Sequence, residues 1–456
     1  MAAQAVLRSF DLIVIGSGSA ASNVASRCRA AGWSVAMIDK QPFGGTCALR
    51  GCDPKKVLVG AAAAVDAARL LADKGVHPNG LRVDWPALMR FKRTFTDPVP
   101  TNRMASLMRA GIETFQGVAR FVGPGQLTVG DATLAAVRAI VIASGARPAD
   151  LGIPGSEQLL TSDGFLALPS LPASVAFVGG GYISFEFAHI AARAGSRATI
   201  LHRGHRPLVQ FDPDLVERLV RRTRDLGIDV RVGAEVQAIE RVGTQCRVTF
   251  RDARGQDTVD ADLVLHGAGR VPDLDDLNLD AAGVRYSRDG VHVNEYLQSV
   301  SNVKIYAAGD CAATEGPPLT PVAGYEGRIV AANLLQGNHA IPDYAAIPSV
   351  VFTIPPLARV GLTEDEARAA GLRVAVRHQD TSAWYSSRRV GEHASAFKVV
   401  VEEDTGRLLG AHMLGPHADE TINVFAVAMR AGLTRDQLKD MIFAYPTHAS
   451  DTSYMV

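Results

Sequence analysis

The hydrophobic pattern at the start of the chain predicts a strand, a glycine turn, a helix and a second strand. An apolar run at residues 12–15 stops at Gly16, an alanine-rich stretch follows, and a second apolar run at residues 35–38 ends at Asp39. Short apolar runs bounded by glycine are typical of buried strands, and a helix between two of them predicts a βαβ unit. Residues 174–201 repeat the same order. The chain is therefore expected to contain two such units.

The rest of the chain alternates between helical and strand patterns. Helices are predicted over residues 61–72, 323–335 and 85–108, the last with an interruption near Pro98, because proline breaks the helical hydrogen-bond ladder. Strands are predicted over residues 118–122, 126–129, 139–145, 228–232, 236–241, 247–250, 259–265 and 303–311. Proline-rich sequence from Ile341 marks the boundary of a last domain.

The first glycine turn has the spacing of a dinucleotide fingerprint. Gly16 permits a tight turn, Gly18 lets the backbone approach a pyrophosphate at the helix N-terminus, and Ala21 takes the third small position. Asp39 ends the second strand, where an acid can accept a hydrogen bond from a ribose hydroxyl. Together, the strand context and Asp39 predict a dinucleotide site, whereas a glycine turn alone could be empty.

The second unit ends differently, in a basic segment. Residues 179–181 are three glycines, and the following strand ends at His202 and Arg203, with Arg206 close behind. Arginine at this position suits the 2′-phosphate of NADP rather than a free ribose hydroxyl. The segment therefore favours NADP over NAD, with a solvated basic turn as the alternative.

Composition narrows the class of protein. The 456 residues are 47% hydrophobic, and 47 Lys and Arg residues balance 47 Asp and Glu residues. A length of this kind suggests about three domains with full cores. The charge balance argues against nucleic acid or an anionic membrane as the main partner. No secretory signal or membrane span is recognisable, so a reducing, cytoplasmic compartment is expected.

Two of the five cysteines point to redox chemistry. Cys47 and Cys52 lie in residues 44–56, which we call the redox segment. In a continuous helix their Cα atoms would be roughly 8.6 Å apart, yet disulfide partners need less than about 7 Å. The segment must therefore bend near Gly51 if the two cysteines bridge, and such a tight bridge tends to be reducible. No second Cys or His pair lies at ligand spacing, so no metal site is expected.

Six motifs together resemble the flavoprotein disulfide reductases, the family of glutathione reductase, dihydrolipoamide dehydrogenase and mercuric reductase. They are GSGSAAS, GGTCALRGCDPKK, GGGYISFE, YAAGDC, LTPVAGYEGR and VFTIPPLARVGLTEDEA. The resemblance implies an α/β fold with two Rossmann-like dinucleotide-binding domains, for FAD and for NAD(P)H, and a C-terminal α+β dimerisation domain. The implied divisions are residues 1–150 (FAD), 151–265 (NAD(P)H), 266–340 (completing the FAD domain) and 341–456 (dimerisation).

The resemblance also implies roles by motif. Cys52 would face the flavin, and Cys47 would be the interchange thiol that attacks substrate. Lys55 and Glu186 match the family's ion pair beside flavin and nicotinamide, and Tyr182 matches the side chain that covers the flavin. The implied cofactor-binding residues are Gly16, Gly18, Ser19, Ala20, Asp39, Lys40, Gly45, Thr46, Cys47, Lys56, Ser144, Gly145, Gly179, Gly181, Tyr182, Ile183, Glu186, His202, Arg203, Arg206, Gly269, Arg270, Gly309, Asp310, Leu319, Thr320, Pro321 and Ala323.

The chain departs from the family near its C-terminus. Disulfide-reducing members carry a His-Pro pair that reaches the partner subunit as acid–base catalyst, but Tyr445 stands at the His position here. A phenol titrates near pH 10, so Tyr445 can donate a hydrogen bond but is a poor base. His448 and Asp451 are an alternative acid–base pair. Asp53 beside Cys52 is also unusual, and Arg50 between the cysteines could attract an anionic substrate.

These features predict an enzyme that passes electrons from NADPH through FAD and the Cys47–Cys52 disulfide to a small oxidised thiol or disulfide. We expect a homodimer in which the C-terminal segment completes the partner's site. One alternative is reduction of a soft metal ion, as in mercuric reductases, although the C-terminal cysteine pair of those enzymes is absent here. A second alternative is a redox-sensing NADPH-binding flavoprotein with little turnover.

Overall fold

A computed structural model gives the structure of residues 7–456, which divide into two compact units. The first unit combines the residues up to Lys55 with Phe91–Ala149 and Arg270–Tyr344, and the second contains Lys56–Arg90, Asp150–Gly269 and Ala345–Val456. The second unit thus includes both the predicted NAD(P)H-binding region and the predicted dimerisation region. The finer division into four segments stays a prediction.

The first unit is built on a seven-stranded sheet. Leu7–Ile15 is central and pairs in parallel with Val35–Asp39 on one side and with Ala132–Ile142 on the other. The short strand Ile305–Ala307 also runs parallel to Ala132–Ile142. Because parallel strands point the same way, the residues that follow Ile15, Ile142 and Ala307 gather at one edge of the sheet, where α/β proteins bind their ligands.

The remaining elements of the first unit complete this sheet and two small ones. Its strands are Leu7–Ile15, Val35–Asp39, Glu113–Gln116, Ala119–Gly123, Gln126–Val129, Ala132–Ile142, Ala146–Pro148, Arg270–Pro272, Tyr286–Ser287, Gly290–His292, Ile305–Ala307 and Ala312–Ala313. Its α-helices are Ser19–Ala30, Gly45–Arg50, Val99–Arg109 and Thr320–Gln336, and its 3-10 helices are Asp275–Leu277 and Leu279–Ala282. The helices Cys52–Leu70 and Trp85–Thr96 contain residues of both units.

The apolar run of the first strand is explained by burial on both faces. Ile13 and Ile15 belong to one hydrophobic cluster, whereas Leu12 and Val14 belong to another. A parallel sheet covered on both sides requires such continuous apolar runs instead of alternation. Each fully buried aliphatic side chain contributes roughly 1.5–3 kcal/mol. This strand therefore anchors the edge at which Gly16 lies.

The second unit contains three sheets. A four-stranded parallel sheet has the order Asp229–Val232, Arg197–His202, Ser174–Val178, Leu263–His266. The second sheet is antiparallel, and its three strands are consecutive in the chain. The third is a five-stranded antiparallel sheet in the C-terminal part. The further strands are Glu235–Val242, Gln245–Asp252, Gly255–Ala261, Ser349–Val351, Leu357–Gly361, Val374–Asp380, Ala396–Glu402 and Leu408–Leu414. The α-helices are Ser162–Phe165, Tyr182–Arg193, Pro213–Asp225, Glu364–Ala369, Tyr385–Arg388, Ala418–Arg430, Arg435–Lys439 and Thr452–Met455, and the 3-10 helices are Ser156–Gln158 and Ala449–Asp451.

Buried charges connect three helices and one loop of the second unit. Arg193 lies 2.8 Å from Asp66, and Arg222 lies 3.2 Å from Glu392 and 3.5 Å from Asp66. All four side chains are at most 9% exposed. The two arginines balance the charge of the two carboxylates, and each buried ion has an oppositely charged partner. An unpaired charge at such a buried position would be strongly destabilising.

Two predicted strands were wrong in their extent. The strand predicted over residues 303–311 is limited to Ile305–Ala307, because the chain turns at Gly309. Residues 259–265 do not form a single strand, because the chain leaves the antiparallel sheet at Ala261 and enters the parallel sheet at Leu263. Asp262 lies at the junction, and its carboxylate accepts hydrogen bonds from the Ser174 backbone and hydroxyl and from Gln245. The interruption expected near Pro98 is confirmed, since one helix ends at Thr96 and the next begins at Val99.

Among residues 7–456, no helix has both the length and the apolar character needed to span a bilayer.

Candidate active site

The first glycine turn has the shape of a nucleotide cradle. Gly16 has φ +109°, and a Cβ there would lie 2.2 Å from the Ala143 carbonyl oxygen, so only glycine fits. Gly18 precedes the helix Ser19–Ala30, whose N-terminal N–H groups suit a phosphate. The Ser144 hydroxyl is buried without a hydrogen-bond partner within residues 7–456. An orphaned donor beside an open helix N-terminus fits a bound dinucleotide.

Asp39 is held beside this turn by a residue that the sequence analysis missed. The buried Ser17 donates a hydrogen bond of 2.6 Å to Asp39 and accepts one of 3.0 Å from the Gly44 backbone. Ser17 thus connects the nucleotide turn to the start of the redox segment. A Cβ on Gly45 would lie 2.5 Å from the Gly18 Cα atom, so these two glycines bring the turn and the segment into direct contact.

A second missed residue organises the loop that contains Asp310. The buried carboxylate of Glu326 accepts hydrogen bonds from the Gly309 backbone (2.6 Å), the Thr314 hydroxyl (2.9 Å) and the Tyr344 hydroxyl (2.6 Å). Burial raises the pKa of the neighbouring Asp310. Glu326 was missed because its partners are distant in sequence and the motif that contains it gives no sign of them.

The redox segment is bent where the cysteine spacing requires it. A short helix, Gly45–Arg50, ends at Gly51, and a new helix starts at Cys52. A Cβ on Gly51 would lie 2.9 Å from the Thr46 carbonyl oxygen, which explains the glycine at this position. The predicted break at Gly51 is confirmed. Cys47 and Cys52 are free thiols in this structure.

The two thiols have opposite electrostatic environments. The Cys47 thiol donates to Cys52 and thereby lowers the pKa of Cys52 to about 6, with help from the Thr320 hydroxyl at 3.3 Å and the Lys55 ammonium, although burial opposes the shift. The same hydrogen bond, together with burial, raises the pKa of Cys47, and the charge of Asp53 adds to this rise. In the reduced pair these surroundings favour the negative charge on Cys52 and the proton on Cys47.

The second glycine turn also fits a dinucleotide. Gly179 has φ +108°, and a Cβ there would lie 2.3 Å from the Gly267 carbonyl oxygen. Gly181 precedes the helix Tyr182–Arg193. His202 packs against Gly180, and its Nε2 lies 3.0 Å from the Arg206 carbonyl oxygen. The imidazole is therefore already hydrogen-bonded within the turn. Arg203 is exposed and free to meet an anionic group.

The helix Tyr182–Arg193 positions two predicted catalytic residues one turn apart. Tyr182 is half-buried against Phe211, with ring centroids 5.6 Å apart, and burial and the Glu186 charge raise its pKa to about 12. The Glu186 carboxylate accepts a hydrogen bond of 2.8 Å from the Phe352 backbone. The ion pair of Glu186 with Lys55 stays a prediction.

Several of the residues implied to bind cofactor have protein partners. Lys40 lies 2.9 Å from Asp273 and 2.8 Å from Asp276. Lys56 lies 3.0 Å from Asp419, with its ammonium 3.8 Å from the Phe352 ring centroid. Leu319, Thr320, Pro321 and Ala323 form the N-terminal turn of the helix Thr320–Gln336, while Arg270 begins the strand that pairs with Ala146–Pro148. Cofactor contacts of these residues stay predictions.

The three C-terminal candidates for acid–base catalysis, Tyr445, His448 and Asp451, have different surroundings. Tyr445 is 79% exposed. The His448 ring packs on His417 (4.6 Å between centroids), and its Nε2 lies 3.3 Å from Arg389, whereas Asp451 accepts a hydrogen bond from Ser386. Burial, aided by the charges of His417 and Arg389, lowers the pKa of His448 to about 4. The structure therefore does not form the alternative acid–base pair of His448 with Asp451.

Comparisons with known proteins agree with this arrangement. Residues 10–327 match the family model described as pyridine nucleotide-disulphide oxidoreductase, and residues 347–455 match the dimerisation domain of that family. The chain is 33% identical over 443 residues to a glutathione reductase of Burkholderia cepacia, which covers 97% of both chains. It is 32% identical to a mercuric reductase of Lysinibacillus sphaericus, over 96% of this chain and 81% of that one.

A solved structure extends the likeness to three dimensions. The chain is similar to the Cu(II) complex of RclA, an HOCl-induced flavoprotein disulfide reductase of Escherichia coli, with a TM-score of 0.87, 29% identity, and coverage of 98% of this chain and 99% of that one. The predicted fold class, two dinucleotide-binding regions followed by a dimerisation domain, is confirmed.

Proposed function

The chain belongs to the pyridine nucleotide-disulphide oxidoreductases, and from that membership we propose that it is an NADPH-dependent flavoprotein that reduces a small disulfide or a related oxidised sulfur compound. Members of this family use FAD and NAD(P)H. The observation that carries the proposal is a pair of free thiols with different neighbours on either side of the break at Gly51: Cys52 lies 3.3 Å from the Thr320 hydroxyl, and Cys47 lies 4.0 Å from Asp53 Oδ1. Thiol–disulfide exchange uses such a pair, because one sulfur attacks and the other resolves the mixed disulfide.

The residues at the two glycine turns fit the family's cofactors. Gly16, Gly18, Asp39 and Ser144 would hold FAD, since they combine a tight turn, an open helix N-terminus, an acceptor and an orphaned donor. Gly179 belongs to the equivalent turn for NAD(P)H. When bound, nicotinamide and flavin would supply two electrons to the Cys47–Cys52 disulfide.

The chain's own residues would then carry out the exchange. Cys47 attacks the substrate disulfide and forms a mixed disulfide, releasing one thiol. The Cys52 thiolate, held by Thr320 at 3.3 Å, attacks Cys47 and releases the second thiol. Arg50 lies between the two cysteines in sequence, and its cationic side chain would favour an anionic substrate.

Selectivity for NADPH is proposed to rest on Arg203. Its exposed guanidinium follows the second strand of the parallel sheet, where a 2′-phosphate would be recognised. His202 is occupied within the turn, and Arg206 donates a hydrogen bond of 3.2 Å to the Val209 carbonyl oxygen. Arg203 is therefore the best placed of the three predicted side chains to bind the 2′-phosphate.

The dimerisation domain supports a homodimer whose C-terminal segment, including Tyr445, completes the partner's site.

The first experiment counts thiols. Anaerobic titration of the FAD-containing enzyme with NADPH should release two thiols, and the Cys47→Ser variant should not show this gain. A panel of glutathione disulfide, lipoamide and bis-γ-glutamylcystine, followed by NADPH oxidation, then identifies the substrate class. Turnover near zero with every disulfide would contradict the proposal.

Reduction of a metal ion is the second candidate, favoured by the similarity to a mercuric reductase and by Tyr445, which stands where that class has a tyrosine. The similar RclA structure is a Cu(II) complex. Adding Hg(II) and Cu(II) to the same panel separates the two functions, because a metal reductase would oxidise NADPH with the ion and not with the disulfides. If NADPH reduces the cysteines but no oxidant is turned over, a redox sensor is favoured.

A further inference from the structure

A carboxylate lies against the attacking thiol. Asp53 is the second residue of the helix Cys52–Leu70, its side chain is exposed, and its Oδ1 lies 4.0 Å from the Cys47 sulfur, within reach of an S–H donor. Cys52, on the other side of the pair, lies 3.3 Å from the Thr320 hydroxyl. Each cysteine therefore has its own polar partner, and the partner of Cys47 is the one that can bind a proton.

Cys47 needs such a partner because it cannot easily lose its proton. The negative charge of the reduced pair lies on Cys52, and the pKa of Cys47 is raised by the hydrogen bond to Cys52 and by burial. Only a thiolate attacks a disulfide efficiently, so the proton of Cys47 must leave as the sulfur attacks.

The alternative proton acceptors of this chain are poorly suited. Tyr445 is 79% exposed, and its phenol hydroxyl acts as a hydrogen-bond donor and not as a base. His448 packs on His417 and lies 3.3 Å from the Arg389 guanidinium, whose charge opposes a second positive charge on the imidazole. The Asp53 carboxylate, 4.0 Å from the Cys47 sulfur, is the acceptor that the redox segment itself provides.

We propose that Asp53 is a catalytic acid–base residue that takes the Cys47 proton during attack on the substrate disulfide and returns it to the first leaving thiolate. The inference deepens the proposed function and rests on it. In this step the bond between Cys47 and the nearer substrate sulfur forms, the substrate S–S bond breaks, and the proton held by Asp53 converts the leaving thiolate to a thiol. Cys52 then displaces the second thiolate, which takes a proton from water, and the Cys47–Cys52 disulfide re-forms.

The proposal makes the effect of Asp53 depend on the leaving group. An aliphatic thiolate is a poor leaving group and benefits from protonation, whereas an aromatic nitrothiolate leaves easily without it. Alkylation by iodoacetamide releases iodide, so it needs removal of the Cys47 proton but no protonation of a leaving group. A residue that merely supported the fold would affect all three reactions alike.

The test compares Asp53→Asn with the wild type as reduced, FAD-containing enzyme in stopped-flow experiments. Exchange with hydroxyethyl disulfide should slow by about 10²-fold, the usual contribution of general acid–base catalysis. Exchange with dithiobis-nitrobenzoate and alkylation by iodoacetamide should slow much less, because they need the Cys47 proton to be removed but no proton to be delivered to the leaving group. Asp53→Glu, which keeps the carboxylate, should recover part of the lost rate. Asp365→Asn, which removes an exposed aspartate from the first turn of the helix Glu364–Ala369, is the matched control and should behave as wild type.

Two results would overturn the proposal: an unchanged rate with hydroxyethyl disulfide, or an equal loss with all three reagents. Because hydroxyethyl disulfide exchanges stoichiometrically with accessible thiols, this comparison needs no physiological substrate. If no disulfide of the substrate panel is turned over, the proposed function is contradicted. The rates with hydroxyethyl disulfide would still decide the role of Asp53.

Discussion

Replacing Thr320 by valine should make the Cys52 thiol less acidic. The Thr320 hydroxyl lies 3.3 Å from the Cys52 sulfur and contributes to the pKa of about 6. A hydrogen bond to a charged group is worth about 1.5–3 kcal/mol, and one pKa unit corresponds to about 1.4 kcal/mol. Neighbouring groups partly desolvate the Cys52 sulfur, but the residue as a whole is solvent-exposed, so solvent screening favours the lower end of that range. We therefore expect Thr320→Val to raise the Cys52 pKa by about one unit, to near 7.

The measurement is the pH dependence of thiolate absorbance in the reduced enzyme. The sign is fixed by the lowered pKa: the thiolate is present above about pH 6 and lost as the pH falls through that value. In the variant the same loss should occur about one unit higher. Thr320→Ser keeps the hydroxyl and is the matched control, expected to titrate like wild type. A valine variant that still titrates near pH 6 would show that the hydroxyl does not stabilise Cys52.

Three further predictions address other parts of the site and the fold. Tyr445→Phe should slow disulfide turnover several-fold, by losing one hydrogen-bond donor, without slowing flavin reduction by NADPH; equal losses in both steps in rapid kinetics would contradict the role of Tyr445. Arg203→Glu should raise KM for NADPH at least about tenfold while hardly changing that for NADH, since about 1.4 kcal/mol is tenfold in affinity; equal changes for both would place the 2′-phosphate elsewhere. Asp66→Ala should lower the free energy of unfolding in urea by about 3–5 kcal/mol, because it leaves Arg193 without its buried partner; the exposed Asp260→Ala is the control and should leave the stability unchanged.

The strand and helix order could be predicted because it depends on local pattern. The runs before Gly16 and Gly179 are apolar because their strands are buried on both faces, and such burial leaves a direct trace in the sequence. The break at Gly51 was likewise predictable, since the Cα separation allowed by a disulfide excludes a continuous helix between Cys47 and Cys52.

The side-chain partners could not be predicted, because they join residues that are distant in the chain. The Ser17 hydroxyl donates a hydrogen bond to Asp39, 22 positions away, and the Glu326 carboxylate accepts one from the Gly309 backbone. Polar residues of this kind carry no periodicity that reveals their partner. The strand predicted over residues 259–265 failed for a related reason, since the Asp262 hydrogen bonds that divide it come partly from Ser174.

The asymmetry of the two cysteines follows from the same break that brings them together. Because the chain turns at Gly51, Cys52 is the first residue of a long helix, where the positive end of the helix dipole favours a thiolate. Cys47 lies inside the preceding short helix, without that advantage, and faces Asp53 instead. A single bend thus lets the sulfurs meet and makes them unequal. An uninterrupted helix would do neither, so the proposed exchange chemistry depends on the break at Gly51.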